Sequence, residues 1–217
     1  MKKIIFDFDG TLVNSNEAVI ASLNATYFEF KGEMPDYTEV IEPILGKPLE
    51  VQIGCFDVEK LDEAIDYYKN YYREIREDKT FSYEGVEPLL RILKSRGYQM
   101  GILSNKGPNG LSHGLIKFDY ENYFELVVSK DDVIEKKPNP LCFEPVLAAM
   151  GGVIEDYIMV GDSISDILLG HNLGITSVLV KWTLLPMAAF CDAEPSFILD
   201  TPLDLLNILK VLEEKDA

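Results

Sequence analysis

The residues best suited to chemistry in this 217-residue chain stand at the ends of apolar runs. Ile4-Ile5-Phe6 leads straight into Asp7-Phe8-Asp9-Gly10-Thr11-Leu12. Burying an unpaired carboxylate is costly or forces it to take up a proton, so a buried strand ending in two aspartates asks for a cation. Alternation sends Asp7 and Asp9 the same way off a regular strand, and Gly10 lets the backbone leave strand geometry straight after them. The plain alternative is a turn, since Asp and Gly are common turn residues. Three later stretches weigh against it, because each follows a strand-like run in the same manner. They are Ser104-Asn105-Lys106-Gly107, Lys136-Lys137-Pro138-Asn139-Pro140 and Gly161-Asp162-Ser163-Ile164-Ser165-Asp166. Singly, these too have plain readings: a turn at Ser104, a solvated lysine at Lys136, a helix N-cap at Asp162 or Ser163.

The elements that must position these groups follow from periodicity. Lys2–Phe6 predicts a buried strand. From Ser15 the pattern turns helical, with Ala18, Val19, Ser22, Leu23, Thr26 and Tyr27 on one side and Lys31-Gly32 as the stop. A second short helix is expected from about Asp36 to before Gly46, then a loop at Gly46-Lys47-Pro48-Leu49 opening a further helical stretch. Asp57 to Asp78 predicts a long helix with Leu61, Ile65, Tyr68, Tyr72 and Ile75 as its apolar stripe. Its tyrosines read as core packing of a small helical domain ahead of an aromatic binding surface. From Ser82 helix and strand alternate, as in a parallel sheet covered by helices. Strands are expected at Tyr98–Leu103, Glu125–Ser129, Tyr157–Val160, Thr176–Val180 and Phe197–Leu199. Helices are expected at Gly85–Arg96, Asn109–Lys117, from Pro140 to Met150, from the Asp162 stretch to Leu173, and from Pro202 to Glu214. The fold class is therefore α/β, a doubly wound, mostly parallel, Rossmann-like sheet with a helical insertion. In such sheets ligands sit at strand C-terminal ends where the strand order reverses. If the first strand is central and the strand ending at Gly161 is its neighbour across that reversal, Asp7 and Asp162 would meet. The sequence permits this arrangement, and the family resemblance given below implies it.

Composition sets the boundaries. Hydrophobic residues make up 47%, enough for a packed core. Against 37 acidic residues stand 20 basic ones, a net charge of −17 that makes nucleic acid and anionic membranes poor partners. The same charge repels a phosphorylated substrate, so phosphate chemistry here demands a metal and a placed lysine. Cys55, Cys142 and Cys191 fit no metal spacing and read as buried or half-buried thiols in a reducing compartment. The first apolar run is cut by Asp7 and no run reaches membrane-spanning length, so the expected location is the cytoplasm. His113 and His171 read as helix-surface residues.

Asp7-Phe8-Asp9-Gly10-Thr11-Leu12 resembles the first motif of the haloacid dehalogenase superfamily of aspartate-nucleophile phosphohydrolases. The other motifs extend the resemblance from Lys3 to about Val180, and Asn14 to about Ser82 resembles the small helical cap of the phosphoglycolate phosphatase-like branch. The resemblance implies a catalytic core of residues 1–14 and 82–217 with a cap of residues 15–81. It implies Asp7 as nucleophile, and Asp9 as general acid to the leaving oxygen and then base to the attacking water. The dehalogenase branch lacks an aspartate at that second position, which favours phosphate. Asp7, the main-chain carbonyl of Asp9 and Asp162 match the ligands of Mg²⁺, with Asp166 one helical turn on to orient metal waters. Ser104 and Asn105 match the loop that holds the phosphoryl group. Lys137, marked by the Pro-x-Pro after it, would neutralise nucleophile and phosphoryl oxygens. Lys47 and Lys106 are candidates for a substrate's distal anion, although plain surface lysine is the alternative for each. Asn14 departs from the aspartate common at its position and blurs the subfamily.

The expected function is a Mg²⁺-dependent phosphomonoesterase forming an aspartyl phosphate on a small anionic metabolite, phosphoglycolate first. The alternatives are a β-phosphoglucomutase-like phosphomutase, a pyrophosphatase, or an idle binding protein of the same fold. The last would usually have lost a motif residue, and Asp7, Asp9, Lys137 and Asp162 are all present. Monomer and homodimer remain open.

Overall fold

A computed structural model describes residues 2–215. The expected limits of the core at residues 1 and 217 lie outside the described residues. The chain divides into two compact units, one from the segments before Asn14 and from Ser82 onward, the other Asn14–Phe81. The strands in chain order are β1 (Lys3–Phe6), β2 (Val13–Asn14), β3 (Phe81–Ser82), β4 (Met100–Leu103), β5 (Leu126–Val128), β6 (Tyr157–Gly161), β7 (Thr176–Val180) and β8 (Phe197–Leu199). Six form a wholly parallel sheet in the order β5-β4-β1-β6-β7-β8, while β2 and β3 pair separately. The order reverses around β1, which lies between β4 and β6. Register sets Ile4 opposite Met100 and Ile158, and Phe6 opposite Ile102 and Val160.

In the unit Asn14–Phe81, α1 (Asn16–Lys31), α2 (Leu49–Gly54) and α3 (Leu61–Lys79) carry the core. Helix α1 buries Ala18, Ser22, Leu23 and Thr26, while Val19 and Tyr27 are only half-buried. Gly32 stops it at φ 79°, a left-handed cap whose N–H donates to the Phe28 carbonyl. The long helix starts at Leu61 instead of Asp57, because Asp57 itself takes a left-handed backbone at φ 51°. Of its expected stripe, Ile65 and Tyr68 are buried, Tyr72 and Ile75 are half-buried, and Leu61 is exposed. Tyr67 stacks on Tyr71 and Tyr68 on Tyr72, pairs one helical turn apart. The segment after Asp36 is irregular. Asp36 caps it by accepting from the Glu39 N–H, but a wide turn over Tyr37–Ile41 gives way to a 3₁₀ turn at Glu42–Ile44, where Pro43 lacks a donor.

Around the large sheet run α4 (Val86–Ser95), α5 (Pro108–Lys117), α6 (Glu144–Met150), α7 (Ile164–Leu173) and α8 (Leu205–Lys215). The stretches expected to be helical from Pro140 and from Pro202 open instead with 3₁₀ turns, and α-helix proper begins at Glu144 and Leu205. Strand alternation splits the core. Ile4, Phe6, Ile102 and Val160 pack with α4, α5 and α8, while Ile5, Leu103 and Met159 pack with α6 and α7. Each such fully buried side chain contributes about 1.5–3 kcal/mol, a reserve against which charge burial at the strand ends can be set. Cys142 is buried and burial pushes its thiol up to about 11, whereas Cys55 and Cys191 are exposed, contrary to expectation. His171 is exposed on α7 and His113 half-buried on α5. Among the described residues no helix is long and apolar enough to cross a membrane.

Candidate active site

At the C-terminal end of β1 the chain leaves the sheet with Asp7, whose N–H still donates to the Val160 carbonyl of β6 at 2.8 Å. Gly10 then adopts φ 76°, and a Cβ there would lie 2.1 Å from Asp162 Oδ2. Only glycine allows both the turn and this approach. Across the reversal β6 ends in Gly161, where a Cβ would lie 2.3 Å from Asp166 Cγ. Two glycines thus let three carboxylates converge. Ligand oxygens of Asp7, Asp162 and Asp166 lie within 4.8 Å of one another. The Asp9 side chain is outside this set.

One lysine answers the three acids. Lys137 is buried, with its Nζ 2.6 Å from Asp166 Oδ1 and 3.0 Å from Asp7 Oδ1. Asp166 is fully engaged, since its other oxygen accepts from the Ser163 N–H at 3.0 Å and from the Ser163 hydroxyl at 2.6 Å. Ser163 and Asp166 therefore cap α7 between them, which leaves Asp162 free of that duty. Asp166 thus contacts both Lys137 and the start of α7. Apart from its 3.0 Å ionic contact with Lys137, the buried Asp7 Oδ1 has no hydrogen-bond partner among the described residues. The Thr11 hydroxyl is likewise buried without a partner among the described residues.

The electrostatics record the crowding. Burial first, then repulsion by Asp166, raises the Asp7 carboxyl to about 6, although Lys137 pulls it back. Burial, then Asp7 and Asp166, hold Asp162 well above the carboxylate range. Burial also lowers Lys137, but its two carboxylates outweigh this and hold it above the usual lysine range. Three acids sharing one cation is the pattern a divalent ion relieves, and an all-oxygen donor set suits Mg²⁺. The residues fit that ion.

On the other side of β1, β4 ends in Ser104. It is buried, its N–H donates to Val128 of β5 at 3.0 Å, and its hydroxyl accepts from the Lys106 N–H at 3.3 Å. The Asn105 amide makes reciprocal bonds to the Lys137 main chain, 3.3 Å to its carbonyl and 3.2 Å from its N–H. Its side chain is thus committed to the loop of Lys137. Lys106, a candidate for substrate, has its Nζ 2.8 Å from both Asp9 oxygens. Lys47, the other candidate, is exposed in the unit Asn14–Phe81, ahead of α2. Asn14 accepts from the Asn16 N–H at 3.1 Å, a local turn contact.

Two residues at the site carry no sequence signal. The Thr183 hydroxyl lies 3.5 Å from Asp162 Oδ2, and the Trp182 indole donates to the Thr11 carbonyl at 3.2 Å. Both lie in a loop after β7 whose composition suggests nothing.

Residues 4–180 match the haloacid dehalogenase-like hydrolase family. Pyrophosphatase PpaX of Bacillus mycoides (strain KBAB4) is 33% identical over 206 residues, 95% of each chain, and that of Bacillus cereus (strain AH820) is equally similar. Among solved structures, a protein described as a predicted phosphoglycolate phosphatase from Haemophilus somnus 129PT superposes with TM-score 0.83 at 24% identity. The match covers 96% of this chain and 98% of that one. At that identity the likeness speaks for the fold alone.

Proposed function

The chain belongs to the haloacid dehalogenase-like hydrolase family, and on that premise we propose that it is a Mg²⁺-dependent phosphatase of small anionic phosphates with Asp7 as nucleophile. The observation that carries this reading is the buried Asp7–Lys137–Asp166 chain with Asp162 beside it, at the ends of adjacent strands β1 and β6. A cluster so crowded has no structural use that apolar residues would not serve better. Asp7 attacks phosphorus, the bond from phosphorus to the leaving oxygen breaks, and that oxygen takes a proton from Asp9. Water then attacks the aspartyl phosphate at phosphorus and gives its proton to Asp9. The bond to Asp7 breaks, restoring the carboxylate and releasing inorganic phosphate. Lys137 keeps Asp7 ionised and faces the phosphoryl charge, Ser104 and the Asn105 N–H hold phosphoryl oxygens, and Asp166 holds Lys137. Asp7, Asp162 and the Asp9 main-chain carbonyl would hold a divalent cation, which when bound would supply neutralisation of the phosphoryl oxygens.

Pyrophosphate moves ahead of phosphoglycolate as substrate. The relatives named pyrophosphatase are 33% identical over nearly their whole length, whereas phosphoglycolate rests on a likeness of fold. The test is phosphate release from pyrophosphate, phosphoglycolate and sugar phosphates, with Mg²⁺ and with EDTA, alongside Asp7→Asn. Release with Mg²⁺ that disappears in EDTA and in Asp7→Asn is expected, fastest on pyrophosphate. Rearranged sugar phosphate without net release would replace the hydrolase by a mutase.

A further inference from the structure

The Lys106–Asp9 pair lies beside the acid cluster, and the reaction as written above uses Asp9 but gives Lys106 no task. We propose that Lys106 is a positioning residue, whose ammonium holds the Asp9 carboxylate in place for proton transfer instead of binding substrate. The inference rests on the phosphatase reading.

Several independent features build this contact. The ammonium is 2.8 Å from each Asp9 oxygen, so it straddles the carboxylate and fixes its plane as well as its position. The pair is mostly sheltered, with the Lys106 side chain only 17% exposed, and shelter strengthens such a contact over a surface ion pair. The lysine stem has a dedicated path. Gly110 on α5 leaves room for it, because a Cβ there would lie 2.5 Å from Lys106 Cε and 3.2 Å from Cδ. The Phe8 ring, between Asp7 and Asp9 in sequence, lies 6.0 Å from the ammonium. That ring is itself wedged against Gly114, where a Cβ would meet Phe8 Cζ at 2.6 Å. Two bonds hold the lysine's own loop, from Lys106 N–H to the Ser104 side-chain Oγ at 3.3 Å and from Lys130 N–H to the Lys106 carbonyl at 3.1 Å. Two glycines on one helix thus seat the lysine and the ring on which the loop of Asp9 turns.

The straddling contact is made with the ionised carboxylate. When Asp9 carries the proton for the leaving oxygen, Lys106 keeps one oxygen and the other bears that proton. This placement matters in proportion to how badly the leaving group needs a proton. The test is kcat/KM, which covers formation of the aspartyl phosphate, for a series from phenyl phosphate to dinitrophenyl phosphate. Wild type is compared with Lys106→Met, Lys106→Arg and Gly110→Ala, each checked by thermal melting, with Asp7→Asn as control. Lys106→Met keeps the stem and loses the ammonium, so phenyl phosphate should slow by about 10- to 100-fold while dinitrophenyl phosphate, whose leaving group departs unprotonated, changes little. Lys106→Arg should recover part of the loss. Gly110→Ala, which displaces the stem but retains the lysine, should also steepen the dependence on leaving group. An equal loss across the series, a rise in KM with kcat kept, or an unchanged slope in both Lys106→Met and Gly110→Ala would overturn the proposal and leave the phosphatase standing. Absence of Asp7-dependent release from wild type would overturn both.

Discussion

The two units bury polar side chains in opposite ways. In Asn14–Phe81 they are neutral and close on nearby backbone: Ser22 donates to the Ala18 carbonyl, Thr26 to Ser22, Thr80 to Arg76 and Gln52 to Ile44. No charged side chain of that unit is buried among the described residues. In the sheet unit Asp7, Lys137 and Asp166 are all buried, and their partners come from distant parts of the chain. A hydroxyl bonded one turn back is a local convenience that many sequences allow. A buried lysine between two aspartates is costly unless all three are placed together. Strain on charges marks the site, and polarity alone does not.

Lys137→Met should break the comparison most severely. It leaves Asp7 and Asp166 buried without their cation, so the sheet unit should lose about 3–5 kcal/mol in denaturant unfolding, and phosphate release should fall by about 10²–10³ or more. Gly161→Ala comes next. The new Cβ would sit 2.3 Å from Asp166 Cγ, and overpacking of this kind costs about 1–3 kcal/mol. Melting temperature and Mg²⁺-dependent turnover should fall together, because displacing Asp166 releases Lys137.

Asp7→Asn should act through pH. The folded carboxyl titrates at about 6, above the 3.8 ordinary for aspartate, through burial first and Asp166 second. Between those values the folded protein holds a proton that the unfolded chain has lost, so this group's contribution to stability falls as pH rises. In EDTA, Asp7→Asn should therefore melt higher than wild type at pH 7, with the gap narrowing as pH falls through about 6 toward 4. Mg²⁺ should shrink the gap by stabilising wild type. A gap that widens on acidification would mean the site is not crowded as described. The smallest effect belongs to the helical unit. Ser22→Ala removes one neutral bond and should cost about 1 kcal/mol or less, with turnover per folded molecule unchanged.

The expected positions of Asp7, Ser104 and Asp162 could be read because each polar residue interrupts or ends an apolar run, and runs are local. The spacing of Asp162 and Asp166 was legible for the same reason, one turn of α7. Helix starts were less legible where a single backbone angle decided them, as at Asp57, or where proline removed a donor, as at Pro43 and Pro140. The sequence by itself thus determined the α/β alternation, the strand ends that carry carboxylates, and the demand for a buried cation. Only the tertiary structure decided which groups share that cation. Lys106 and Asp9 stand 97 residues apart, Asn105 and Lys137 32, and Lys137 and Asp166 29. These partnerships depend on β4, β1 and β6 lying side by side and on loops whose glycines permit approaches under 3 Å. Periodicity acts within one element, whereas a charge is satisfied by whatever the fold brings within about 3 Å of it, and that is a property of strand order and loop path.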